Sequence, residues 1–133
     1  MKWVTLVSED RTNVLADVSY VLGKSHIHVS NLCMEVMGDT SVISMEVGDS
    51  VAASTVLSQN GFGKPITDSL VIKINGEADE LLRMLKLQRV KVKQLTRLSC
   101  DATATIYALS VDKPRRAGRI LSEFLLGSSA NNP

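Results

Sequence analysis

The side chains that could bind a metal ion or act as a nucleophile are few in this sequence and widely spaced. His26 and His28 alternate at the start of a predicted strand, so they share a face and supply two imidazoles. No third ligand has a usable spacing, because Cys33 has the opposite parity, and we interpret the pair as surface histidines. Cys33 and Cys100 carry no signature of nucleophilic catalysis and are predicted to be unpaired core residues in a reducing cytoplasm.

Longer catalytic motifs are absent from the sequence as well. It contains no glycine-rich phosphate loop, nucleophile elbow or paired-carboxylate motif. We therefore expect a protein that is not an enzyme and uses no cofactor. Its 15 basic and 14 acidic residues nearly cancel, so no global charge attracts nucleic acid. The longest apolar runs are far shorter than the about 20 residues that span a bilayer, which predicts a cytoplasmic protein without a membrane partner.

Basic side chains are concentrated in the second half of the chain. A sheet that binds RNA needs aromatic side chains on its two central strands, where bases stack. The predicted central strands of this half offer only Tyr107. We therefore do not expect nucleic-acid binding, and we interpret the basic residues as a solvated face or a contact for an acidic partner. The residues are Lys91, Lys93 and Arg97 on one predicted strand face, and Arg115, Arg116 and Arg119 near the last helix.

Apolar periodicity predicts a β-α-β-β-α order in the first half of the chain. Strands are predicted over 3–7, 27–36 and 41–47, with a helix after the first and another after the third. The first helix is expected to end at Gly23 in the left-handed conformation. Pro65 limits the segment after the second helix to an edge strand. The apolar side of the second helix is predicted to consist of Val51, Ala52, Val56 and Leu57.

The same order returns in the second half of the chain. Leu82 lies 67 positions after Leu15, whereas Leu95 lies 63 positions after Leu32. The second copy has therefore lost about one turn of its first helix, and since a turn is about 3.6 residues the apolar stripe keeps its direction. Two copies of one motif indicate a duplicated domain rather than a solenoid.

These elements predict an α+β protein made of two tandem ferredoxin-like βαββαβ units with antiparallel sheets. The predicted units span 1–67 and 68–126, the second being shorter, and a disordered tail spans 127–133. The fourth strand is expected to be weak in the first unit and missing in the second. An uncovered sheet edge invites pairing, and a unit of about 65 residues buries little surface. We therefore expect units to join through edges or faces, and the protein to form a homodimer.

Residues 9–18, with the sequence EDRTNVLADV, and the strand that includes residues 27–32 resemble the opening of an ACT domain. That family has a polar residue, Arg, Pro, Gly and two aliphatic residues on a helix, followed by a Gly-Ile-Asn-Ile type of strand. The resemblance implies a non-catalytic regulatory module that senses a small molecule, most commonly an amino acid, between two ACT units and controls an enzyme or a transcription factor. The ligand-binding positions that it implies are Asp10, Arg11, Thr12, Asn13, Val14, Leu15, Ile27, Val29 and Asn31.

The sequence departs from the family at Thr12-Asn13, which replaces Pro-Gly. Glycine permits a positive φ and close approach of the backbone to a ligand, and Asn is the next most tolerant residue. The loop shape can thus survive, while the Asn13 side chain intrudes on the ligand. Two functions stay open: a ligand sensor, or a structural dimerisation module that has lost its ligand. Without the resemblance, Asp10 and Arg11 are a solvated loop pair and Asn13 is a helix cap.

Overall fold

Each half of the chain folds into an antiparallel sheet covered by helices. The structure, a computed structural model, describes residues 2–9, 13–67 and 69–126. The chain separates into the units Met1–Asp68 and Ser69–Pro133. Within the described residues each unit has three strands and two helices, so the predicted α+β class with antiparallel sheets is confirmed. The predicted disordered tail over 127–133 lies outside the described residues.

The first unit has its third strand at the centre of the sheet. The strand order is β1-β3-β2, and both neighbours of β3 run antiparallel to it. Gly38, with φ of 57°, makes the tight turn between β2 and β3. The elements are β1 (Lys2–Glu9), α1 (Val14–Lys24), β2 (Val29–Met37), β3 (Thr40–Val47) and α2 (Ser50–Gln59).

One face of this sheet meets both helices and forms the core of the first unit. Successive strand residues point to opposite faces, so Ile43 and Met45 on β3 face the helices while Ser44 faces away. On the far side, the hydroxyls of Thr5 and Ser44 are buried and lie 3.0 Å apart, within hydrogen-bonding distance. The core residues contributed by the sheet and the helices include Val4, Leu6, Ile43, Met45, Val18, Leu22, Ala53 and Leu57.

Two expectations about these helices were wrong. Helix α1 continues through Gly23 to Lys24, and the left-handed residue is His26, with φ of 58°. The hydrogen bond from the Ile27 N–H to the Leu22 carbonyl at 3.0 Å closes the helix around that residue. Helix α2 buries Ala53 and Leu57, one turn apart, and leaves Val51 74% exposed, so its apolar face is rotated from the predicted one.

The second unit repeats the same arrangement. Its strand order is β4-β6-β5, again with antiparallel neighbours. Pro114 opens the last helix, where its missing N–H leaves no intrahelical bond unmade. Leu85 and Leu121 are fully buried in its core. The elements are β4 (Leu70–Ile74), α3 (Asp79–Leu87), β5 (Val92–Cys100), β6 (Thr105–Val111) and α4 (Pro114–Ile120).

Equivalent residues of the two sheets have the offsets that the sequence repeat predicts. Thr5 pairs with Ser44 in the first sheet, and Ile72 pairs with Tyr107 in the second. The first members of these pairs lie 67 positions apart and the second members 63. The helices account for part of the deletion, because α1 has 11 residues and α3 has nine. The predicted loss of a whole turn inside the helix was therefore wrong. Two of the four deleted positions lie in the helix, and the other two lie outside it.

Within the described residues each sheet keeps three strands, and one isolated bridge lies outside the first strand of each unit. Thr5 bridges Ile66 in the first unit, and Ile72 bridges Leu125 in the second. The fourth strand is thus reduced to a single bridge, which agrees with the prediction that it is weak or missing. In the second unit the Leu126 N–H also donates to the Val71 carbonyl at 2.9 Å. No helix in the described part of the chain is long and apolar enough to cross a membrane.

Several predicted placements of single side chains also change. His26 and His28 precede β2 and do not alternate on it, because the strand begins at Val29. Cys33 is half-buried and Cys100 is exposed, so Cys100 is not a core residue. Strand β5 has its own irregularities, which interrupt the alternation predicted for its basic residues: its register against β6 shifts between Val92 and Gln94 and between Arg97 and Ser99.

Candidate ligand site

Asn13 precedes helix α1 in the left-handed conformation, with φ of 60° and ψ of 27°. Among L residues, Asn and Asp adopt this region most readily, because their short side chains hydrogen-bond locally. The loop therefore keeps, at Asn13, the kind of backbone that glycine provides. Asn13 occupies the N-cap position, as predicted, but its side chain makes no capping hydrogen bond to α1.

Helix α2 in the same unit begins differently. Asp49 has an extended backbone, with φ of −131°, and its carboxylate accepts a hydrogen bond from the Ala52 N–H at 3.0 Å. The first four N–H groups of a helix have no partner within it. A capping side chain binds one of these groups at α2, whereas the Asn13 side chain binds none at α1. The start of α1 thus offers backbone donors at the positive end of the helix dipole, which suits a carboxylate.

The apolar site residues next to Asn13 belong to the core. Val14 is 5% exposed and belongs to the core cluster, so its side chain is not available to a ligand. Leu15, Ile27 and Val29 are partly buried and pack against the same core cluster. Their side chains therefore hold the helix and the strand in place. Asp17 is an acidic residue in the first turn of α1, and it was not among the predicted site residues although its charge could meet an ammonium group.

Asn31 lies apart from the other described site residues. The register of β2 against β3 shifts between Val29 and Asn31. Val29 pairs with Val47 on the helix side of the sheet, and this bulge places Asn31 opposite Glu46 on the other side. The Asn31 amide donates to the Glu46 carboxylate at 2.8 Å, and the Ser30 hydroxyl donates to the same oxygen at 3.0 Å.

The site residues thus form two groups at opposite ends of one sheet. Strand β1 runs from Lys2, whose partner Val47 also pairs with Val29, to Glu9 at the far end. Helix α1 begins just after that far end. Seven residue steps of about 3.3 Å separate the ends by about 23 Å. A single unit therefore does not bring Asn13 to Asn31. Asp10, Arg11 and Thr12 lie outside the described residues, and their role stays a prediction.

The structure does bring the predicted basic residues of the last helix together. Arg115, Arg116 and Arg119 line an open surface hollow of about 560 Å³ with Lys113 and Pro114. The Lys113 ammonium donates to the Arg89 carbonyl at 3.1 Å, and the Arg116 guanidinium donates to the Gln88 carbonyl at 3.3 Å. These two cations therefore tie the start of α4 to the end of α3. In the described part of the chain, no three His, Cys, Asp or Glu residues are grouped so as to hold a metal ion.

Comparisons with known proteins give a structural similarity but no match by sequence. No family model and no curated protein matches the chain. Among solved structures, the chain is similar to protein BT0572 from Bacteroides thetaiotaomicron, with a TM-score of 0.50 and 18% identity over 99% of this chain and 96% of that one. At this identity the likeness shows the fold alone.

Two further similarities are weaker. The regulatory subunit of aspartate kinase from Thermus thermophilus, in its ligand-free form, has a TM-score of 0.45 and 14% identity over 91% of this chain and 90% of that one. The small subunit of acetolactate synthase from Thermotoga maritima has a TM-score of 0.42 and 11% identity over 93% and 88%. The β-α-β-β-α order, with the third strand at the centre of each sheet, is that of an ACT-like fold. The resemblance at residues 9–32 is confirmed at the level of the fold.

Proposed function

We propose that this protein is a non-catalytic regulatory module, built from two tandem ACT-like units, that binds an amino acid between such units and thereby controls a partner enzyme or transcription factor. The observation that carries the proposal is the backbone of Asn13, which is left-handed at the start of α1, where the Asn13 side chain makes no capping hydrogen bond. The ligand carboxylate binds the backbone N–H groups of the first turn of α1. The predicted Asp10 and the neighbouring Asp17 supply negative charge for the ligand ammonium.

A dimerisation module that has lost its ligand is the second candidate. The Asn13 side chain supports it, because that side chain projects from a position where the family has glycine. The exposed apolar side chains of Leu32, Met34 and Val36 on β2 support it as well, since they provide a surface for a second copy without any ligand. This candidate predicts a stable dimer that no amino acid stabilises.

A thermal-shift screen of the proteinogenic amino acids at millimolar concentration separates the two candidates. A ligand present at 100 times its Kd stabilises the folded state by about 2.7 kcal/mol, which for a small domain raises Tm by roughly 10–20 °C. We expect a hit with the natural sequence. If no amino acid shifts Tm for either the natural protein or Asn13→Gly, the sensor proposal is wrong.

The variant Asn13→Gly removes the intruding side chain and keeps the left-handed backbone. Binding that appears only in this variant favours the dimerisation module, because the natural side chain then blocks the site. Arg89→Gly is the matched control, since Arg89 also has a positive φ, of 62°, but lies in the second unit. The control variant should leave any ligand-induced shift in Tm unchanged.

A further inference from the structure

The hollow beside helix α4, which we call the basic hollow, concentrates positive charge on one concave surface. It is lined by Lys113, Pro114, Arg115, Arg116 and Arg119, and all five are exposed. Its volume of about 560 Å³ lies within the range of about 300–1,000 Å³ that small-molecule sites have. No Asp or Glu is among the lining residues in the described part of the chain. Four positive side chains therefore share this hollow without a negative one.

The stability of helix α4 does not account for this charge. Acidic side chains are favourable near the start of a helix, and helix α3 follows this rule with Asp79 and Glu80 in its first turn. Helix α4 has no acidic residue in its first turn, which instead contains Arg115 and Arg116. Arg119 follows Arg115 by four residues, a spacing at which like charges destabilise a helix. Sequences that break such local rules do so mainly where function requires it.

The four cations are held in two different ways. Lys113 and Arg116 each donate to a backbone carbonyl just after α3, at 3.1 and 3.3 Å. Each keeps further N–H groups for a ligand, because an ammonium has three and a guanidinium has five. Arg115 and Arg119 make no such bond in the part of the chain that the structure describes. Residues four apart are neighbours on a helix, with Cβ atoms about 5–6 Å apart, so these two guanidiniums can bind one ligand beside the two anchored cations.

Phosphate groups fit these side chains better than a single carboxylate does. A guanidinium is a planar fork that binds a phosphate through two parallel hydrogen bonds. One carboxylate carries a single charge, whereas a di- or triphosphate carries several within a short distance and can meet all four cations at once. Pro114 and the aliphatic stems of the arginines add apolar surface for a flat ring, and a guanidinium stacks on such a ring. We propose that the basic hollow binds a nucleoside di- or triphosphate through Arg115, Arg119 and the anchored Lys113 and Arg116.

A nucleic acid offers the same phosphates, but the observations favour a free nucleotide. Proteins that bind single strands follow the backbone over about 4–16 nucleotides and stack the bases on aromatic side chains. No aromatic side chain lines the basic hollow in the described residues, and its volume suits one small molecule. The hollow lies wholly in the second unit, whereas Asn13 lies in the first. The nucleotide is therefore a second ligand, and its binding does not depend on the amino-acid sensor.

Calorimetric titration of the full chain with ATP tests the proposal, with adenosine and tripolyphosphate as the separate halves of the ligand. We expect ATP to bind with a Kd in the micromolar range and adenosine to give no measurable binding. Tripolyphosphate should bind more weakly than ATP and compete with it, because the phosphates make the contacts to the four cations. The titrations are done at about 0.1 M ionic strength, where charges more than about 10 Å apart are largely screened. Failure of ATP to bind at millimolar concentration overturns the proposal.

The double variant Arg115→Gln, Arg119→Gln removes the two guanidiniums that make no bond to the chain. We expect it to raise the Kd for ATP by about tenfold or more, because the charge-assisted hydrogen bonds to phosphate are lost. The matched control is Lys91→Gln, Lys93→Gln, which removes two exposed charges of the same unit outside the hollow and should change the Kd by less than about twofold. Equal losses of affinity in both double variants show attraction to net charge alone and overturn the site.

The double variant Arg115→Lys, Arg119→Lys tests the shape of the recognition. It keeps both charges but removes the planar forks, so we expect a rise in Kd smaller than that of the glutamine variant. A lysine variant that binds ATP as tightly as the natural protein contradicts bidentate binding of phosphate. Both positions are exposed, so these variants should fold, which circular dichroism verifies.

Two further probes distinguish the other sources of negative charge: a single-stranded RNA of about 12 nucleotides, within the usual site size, and a glutamate peptide of the same length. If either binds more than about tenfold tighter than ATP and loses that binding in the glutamine variant, the nucleotide proposal is wrong. Asn13→Gly should leave the Kd for ATP unchanged, and the glutamine variant should leave any amino-acid shift in Tm unchanged. Binding of ATP without any amino-acid response supports the basic hollow and contradicts the sensor, and the reverse result contradicts the hollow alone.

Discussion

Replacing Gly23 by alanine tests where helix α1 ends. By sequence, Gly23 occupies the position of a left-handed residue that terminates the helix. In the structure it lies inside α1, which ends at Lys24, and His26 takes the positive φ. Apart from its chain neighbours and the backbone of its own helix, a Cβ atom added at Gly23 meets nothing within 4 Å. The two placements therefore predict opposite effects of the substitution on the free energy of unfolding.

The expected magnitude follows from the helical placement. Alanine is about 0.5–1 kcal/mol more favourable than glycine within a helix. Gly23 is one residue from the end of α1, so we expect Gly23→Ala to stabilise the protein by about 0.5 kcal/mol. If Gly23 were left-handed, a Cβ atom there would instead lower the free energy of unfolding by about 1–2 kcal/mol. The two outcomes differ by more than 1 kcal/mol and in sign.

Urea unfolding followed by the fluorescence of Trp3 is a suitable assay. Trp3 is the only tryptophan of the chain, and it lies in β1 of the unit that contains α1. We expect a higher midpoint with an unchanged slope for Gly23→Ala. His26→Gly should also stabilise, by about 0.5–1 kcal/mol, because relief of the left-handed strain exceeds the added entropy of the unfolded chain. A lower midpoint for Gly23→Ala refutes the placement of the helix end.

Two more predictions concern packing and pH. Leu57→Ala should lower the free energy of unfolding by about 2–5 kcal/mol, because Leu57 is fully buried in the first core; Val51→Ala on the same helix, 74% exposed, should change it by less than about 0.5 kcal/mol in the same urea assay. The Asp101 carboxylate accepts hydrogen bonds from the N–H groups of Thr103 and Ala104 at 2.7 and 2.8 Å, and these bonds lower its pKa below 3.8. Since the folded pKa is the lower one, this stabilisation is present at neutral pH and is lost as the pH falls through the folded pKa. An NMR titration of the carboxyl carbon that gives a value at or above 3.8 contradicts this.

The element order and the duplication could be predicted because they depend on local spacing. The apolar stripes of α1 and α3 and the alternation of β3 and β6 follow from the periods of the helix and the strand. The offsets of 67 and 63 positions reappear between Thr5 and Ile72 and between Ser44 and Tyr107. The left-handed backbone at Asn13 was anticipated for the same kind of reason, since it follows from the short polar side chain of that residue.

The positions that sequence reasoning missed depend on partners far along the chain. His26 and Arg89 both adopt positive φ, which histidine does more often than most residues but arginine does not, because the chain must turn there into a strand whose position the sheet sets. Asn31 lies on the other face from Val29 because of a shift in register against β3. Leu125 bridges Ile72, although the local pattern around Leu125 does not predict it. Each of these outcomes depends on which hydrogen bonds form between elements that are far apart in the chain.

The sequence by itself therefore determined the class of fold, its duplication and the polar loop at the start of α1. Only the tertiary structure decided which faces, ends and edges those elements present. Periodicity reports the face that a residue occupies within its own element. Register, bulges and bridges are determined by bonds between elements. These bonds place the two halves of the candidate site at opposite ends of one sheet and leave Leu32, Met34 and Val36 exposed on the outer strand β2.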